Sequence, residues 1–220
     1  MSKQQTWEKS IIGLLLIAMI IIGFNVYQIT MVKAEMHSVQ LNTNAKDTTG
    51  MSQDMPTELD LSGPEVIPPG VPEIYGKELG ISYDDVSAKD PKKADSTINK
   101  LGLLDQKITL KGDGLKRYII IASQMSCEYC CGAESIIFKN GQAACGCAHS
   151  FAMRGLAKYL ITNHGNEYTD EQILEEMGKW KTLFFPGKIT QKARVLQDKG
   201  IALIYVNLAS NKYRGIENQV

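Results

Sequence analysis

Outside residues 127–147 this 220-residue chain has no cysteine. It also has no excess of either charge, since 24 Lys and Arg residues balance 24 Asp and Glu residues. The basic footprint that a phosphate backbone demands is therefore missing, and nucleic acid is not an expected partner. No segment repeats itself, and no Gly-rich loop is placed to cradle a phosphate. Neither a Ser-His-Asp set nor an HExxH helix motif is present. These absences remove the commonest nucleotide-binding, hydrolase and metalloprotease arrangements. What is left is a chain that confines its soft, oxidisable side chains to one short segment.

That segment reads Cys127-Glu128-Tyr129-Cys130-Cys131, then Cys145-Gly146-Cys147, with His149 two positions further on. A Cys-x-x-Cys pair can turn both sulfurs toward one point, and a second pair can close a tetrahedron around a soft cation. Cys127, Cys130, Cys145 and Cys147 make the simplest ligand set. Cys131 and His149 can each replace a member or serve as a fifth, exchangeable ligand. The two side chains of Cys145-Gly146-Cys147 diverge unless the backbone turns between them, and glycine permits that turn. Zinc is the leading cofactor, although thiolates also select Cu(I) or an iron–sulfur cluster. Two readings compete with metal binding. Disulfides would staple an interaction domain, but five cysteines cannot all pair within one chain. Alternatively, Cys127 and Cys130 form a redox pair behind the apolar run 118–122. A thioredoxin-type pair begins a long helix, however, whereas Cys131-Gly132 and a β-prone run follow here.

The residues between the pairs predict a hairpin. Ser135, Ile136, Ile137 and Phe138 are β-prone, Asn140-Gly141 is a two-residue turn signal, and Ala143-Ala144 would return. After Cys147 the pattern becomes helical, with Phe151, Ala152, Leu156, Tyr159 and Leu160 on one face and a stop at Asn163-His164-Gly165. His149 falls in the first turn. This order of knuckle, hairpin, second pair and helix, over residues 126–163, resembles the treble-clef zinc fold. The free N–H groups and partial positive charge of a helix N-terminus favour thiolates there. The same cysteines, behind an N-terminal apolar segment, are also similar to those of bacterial extracytoplasmic proteins named for a Pro-Cys-Tyr-Cys-Gly-Cys motif. Here the proline is absent and Cys-Gly-Cys falls in the second cluster. That resemblance implies a membrane-tethered metal-binding domain.

Residues 10–32 form a 23-residue uncharged stretch, against the roughly 20 residues needed to span a bilayer. Lys3 and Lys9 precede it, which predicts a single-pass transmembrane helix with the N-terminus inside and the rest extracytoplasmic. A cleaved signal peptide ending near Ala34 is the competing reading, but it would lie far beyond the apolar run. The expected organisation is an anchor over 1–34, a flexible Pro-, Ser- and Thr-rich linker over 35–72, and a domain over 73–220.

For that domain the patterns predict an α+β fold around the metal module. Helices are expected over 92–104, from the capping box Thr169–Gln172 to Phe185, and over 189–199. Strands are expected at 107–110, 117–123 and 201–208. The leading function is metal binding, either structural or for metal handling. A thiol–disulfide oxidoreductase or iron–sulfur carrier is the competing class.

Overall fold

The structure, a computed structural model, describes residues 65–218. The predicted anchor at 10–32 and most of the linker lie outside the described residues. Among the described residues no helix is long and apolar enough to cross a membrane.

The chain runs through α1 (Gly76–Leu79), α2 (Pro91–Lys107), α3 (Gly112–Ala122), α4 (Ala148–Asn163), α5 (Asp170–Phe184), α6 (Pro186–Asp198) and α7 (Tyr205–Ala209). Short 3-10 turns at Tyr83–Asp85, Asn211–Tyr213 and Ile216–Asn218 complete it. Extended pairing among the described residues is limited to isolated antiparallel bridges, Met125 with Ser210, Cys127 with Ala133 and Ile137 with Ala143. The α+β expectation is therefore corrected. The domain is helical.

Each misread strand has a physical cause. Residues 117–123 contain three consecutive isoleucines, which suggest β structure. Yet Leu115, Tyr118, Ile119 and Ala122 recur at helical spacing, and α3 buries Tyr118, Ile121 and Ala122 while leaving Ile120 58% exposed. Gly112-Asp113-Gly114, read as a turn between strands, opens this helix instead, with Gly112 at φ +54°. Residues 107–110 are the end of α2 and the connection to α3. At 201–208 no strand forms, and Ile204 is the N-cap of a helix. Glu175 of α5 then accepts the Tyr205 and Val206 amides at 3.0 and 2.9 Å, satisfying the free N–H groups of a new helix, α7.

The hairpin survives in reduced form. The Phe138 amide donates to the Gln142 carbonyl at 2.8 Å, and the Gly141 amide donates to Phe138 at 2.9 Å. The loop thus has three residues, and Gly141, at φ +82°, takes the left-handed position that closes it.

The expected helices appear with their caps. Asp90 accepts the Lys93 amide, and Pro91 occupies the first turn of α2, where its missing N–H costs nothing. Thr169 and Gln172 form the reciprocal capping box of α5. Ile98, Leu101, Ile121, Leu156, Leu160, Ile173, Met177 and Trp180 make the main core between α2, α3, α4 and α5. A smaller cluster of Val66, Ile189, Ala193, Leu196 and Leu208 packs α6 and α7. Helices α2 and α4 approach closely because Gly102 faces Phe151 and Gly155 faces the Leu101 carbonyl.

His164 closes α4. Its ring bonds Glu167 at 2.9 Å and Glu78 at 3.1 Å. Burial disfavours the charged imidazolium, but the two carboxylates outweigh it and raise the pKa above 6.5. The stability this group contributes is fully present below the unfolded value of about 6.5 and is lost as pH rises through the higher folded value. Denaturant midpoints should therefore fall as pH is raised from 6 upward, and His164→Gln should flatten that slope. An unchanged slope in the variant would assign the pH dependence to other groups.

Candidate metal centre

Two loops and one helix end build the centre. After α3 the chain closes a tight loop in which the Gly132 amide donates to the Cys127 carbonyl at 3.0 Å and the Cys127 amide donates to Ala133 at 3.1 Å. Glu128 and Tyr129, the two residues inside the Cys-x-x-Cys motif, turn inward. The Glu128 carboxylate accepts from Lys181 at 2.9 Å and lies 3.6 Å from the Lys192 ammonium. Tyr129 meets the Phe185 ring edge-on at 5.4 Å. With its intervening residues anchored on α5 and α6, the loop leaves Cys130 and Cys131 exposed and Cys127 buried.

The second pair is held by α4. Cys147 is the N-cap, and its sulfur accepts from the Ser150 amide and lies 3.4 Å from the Ser150 hydroxyl. Arg154, fully buried one turn further on, donates to the carbonyls of Cys145 at 2.8 Å and Ile136 at 3.3 Å while pairing with Asp105 of α2. From the C-terminal end, Asn211 donates to the Glu134 carbonyl and Arg214 to that of Gly132. The cysteine loops have little ladder of their own. Side chains from the helices capture their carbonyls instead.

None of the five cysteines is joined to another in the structure. The Cys127 and Cys147 sulfurs are 3.2 Å apart and those of Cys131 and Cys145 are 2.7 Å apart, both beyond the 2.05 Å of a disulfide bond. The candidate ligands fall into two overlapping triplets, Cys127–Cys145–Cys147 and Cys130–Cys147–His149. Within each triplet every ligand atom lies within 4.8 Å of the others. Three ligands held about 2.3 Å from one ion would sit about 4 Å apart. The cluster can hold a metal ion.

His149 stands in the first turn of α4, its ring 4.9 Å from each of the Phe184 and Phe185 rings. Its Nδ1 is buried without a hydrogen-bond partner.

Charge in the cluster is shared in pairs. The hydrogen bond from Cys127 holds Cys147 far toward the thiolate, helped by His149 and Ser150, and Cys127 itself is pushed up as the donor. The contact with Cys145 likewise lowers Cys131, while burial and the same contact raise Cys145. Behind the cluster, burial lowers Lys181 to about 8 against the pull of Glu128, and Lys192 is lowered for the same reason.

Of the six candidates read from the sequence, five fall in the two triplets, Cys131 falls in neither, and the set Cys127, Cys130, Cys145 and Cys147 is divided between them. Sequence reasoning passed over their supports. Ser150 had a signal, since it stands three positions after Cys147, the spacing of an N-cap and its N3 partner. Lys181 had one too. It continues the stripe of Ile173, Leu174, Met177 and Trp180, a core position filled by a charge. Lys192 had the same signal, since it lies on the stripe of Ile189, Ala193 and Leu196, whereas Arg154 and the inward turn of Glu128 gave none. No family model, curated protein or solved structure matches this chain, so the metal centre stands on its own geometry.

Proposed function

We propose that this chain is a thiophilic-metal protein that takes up and passes on Cu(I) or zinc. We place the domain outside a membrane, tethered through residues 10–32. The observation that carries the reading is the gathering of four cysteine sulfurs and one imidazole at the start of α4 by contacts that the protein itself supplies. A site held by Lys181, Arg154, Asn211 and Arg214 does not need its ion to keep its shape. Exposed Cys130 and Cys131 leave one side open to an acceptor thiolate, as exchange requires.

Chelation separates handling from a purely structural ion. In small structural zinc modules the metal's binding free energy, about 10–16 kcal/mol, is folding free energy, and removal melts the module. Here a chelator should strip the metal while the amides of residues 136–138 and 151–160 keep their hydrogen-exchange protection. The loaded protein should also transfer its metal to a competing thiolate chelator. Loss of protection across 126–163 on chelation would make the ion a structural one.

A further inference from the structure

We infer that the centre holds two ions joined by the Cys147 thiolate, an inner one on Cys127, Cys145 and Cys147 and an outer one on Cys130, Cys147 and His149. This rests on the metal-binding reading above and assigns its stoichiometry and its exchangeable position. Cys147 is the residue common to the two triplets. A thiolate sulfur has lone pairs enough to bridge, and Cys147 is also the cysteine whose charged form the helix N-terminus and Ser150 support.

The two positions differ in surroundings. Cys127 and Cys145 are buried against the main core, and Cys131, 2.7 Å from Cys145, is at hand as a fourth thiolate for the inner ion. That position suits a retained ion. The outer triplet combines exposed Cys130 with two half-buried ligands, two sulfurs and one nitrogen in all. Its exposed cysteine makes that position reachable from solvent. Three protein ligands with an open place is the arrangement of zinc sites that exchange a ligand, and soft three-coordinate donors equally accept Cu(I). The Phe184 and Phe185 rings fix the imidazole and wall that position on the protein side. As each ion binds, its thiol ligands release their protons to solvent, and no electron transfer is involved.

The test titrates the full-length chain, in detergent micelles and under anaerobic reducing conditions, with Zn²⁺ alone and separately with Cu(I) alone, read by native mass spectrometry. The wild type should bind two ions in succession, the second leaving first when a chelator is added. His149→Ala and Cys130→Ser should each stop at one ion with unchanged helical circular dichroism. Should His149→Ala fail to fold, Cys130→Ser decides, since Cys130 is exposed. Wild type saturating at a single ion, or either variant keeping two, overturns the bridged pair while leaving metal binding intact. Wild type binding neither metal removes both readings.

Discussion

Replacing Gly155 by alanine is expected to cost about 3 kcal/mol or more, although the same change on an exposed helix would gain about 1 kcal/mol. A β-carbon there would lie 2.0 Å from the Leu101 carbonyl oxygen and 2.9 Å from the Asp105 amide nitrogen. Both obstacles are backbone of α2, so no rotamer change relieves them, and α2 must move off α4. That movement would reach the metal centre, because Arg154 is bound to Asp105 on one side and to the Cys145 carbonyl on the other. Gly114→Ala is the control. Its β-carbon would meet only side-chain atoms, at 3.7 Å and beyond, so helix propensity should win and stability rise slightly. Urea midpoints of the two variants moving in the same direction would contradict this account of the helix seam.

The second large effect is expected at Lys181. Its side chain is fully buried and donates to the Glu128 carboxylate, the Ser126 hydroxyl and the Ala209 carbonyl at 2.7 Å. Lys181→Met removes one partner of a buried pair, a change that typically costs about 3–5 kcal/mol because the remaining charge stays desolvated. Lys192 remains 3.6 Å from Glu128, which places the expectation near the lower end of that range. Adding Glu128→Gln and Lys192→Met together should restore much of the loss, since neither the carboxylate nor the buried Lys192 ammonium is then left without its partner. A triple variant as unstable as the single one would mean that lost packing, rather than an uncompensated buried charge, sets the cost. The Cys127–Cys130 loop hangs on this contact, so the single variant should also bind metal more weakly.

The candidate ligands were legible in the sequence because cysteine and histidine carry their chemistry in their identity and spacing. The helix ends were legible too, where Asp90-Pro91 and the Thr169–Gln172 box announce local hydrogen bonds. The strands failed where tertiary partners overrode local preference. Ile119, Ile120 and Ile121 favour an extended chain in isolation, yet burying Tyr118, Ile121 and Ala122 together requires helical spacing. No pattern within 201–208 could announce that Glu175, some 30 residues earlier, would cap α7. The same holds for the buried guanidinium. Arg154 looks like an ordinary helix-surface residue until folding brings carbonyls and a carboxylate against it.

The most direct test of a thiolate metal centre is elemental analysis combined with cysteine alkylation on protein purified without added metal. The expected result is bound zinc or copper, with exposed Cys130 and half-buried Cys147 protected from alkylation until a chelator is added and reactive afterward. Metal-free protein whose Cys130 and Cys147 alkylate at once would contradict the account. So would cysteines that stay unreactive with chelator and yield only to a reductant, which would return the segment to disulfides.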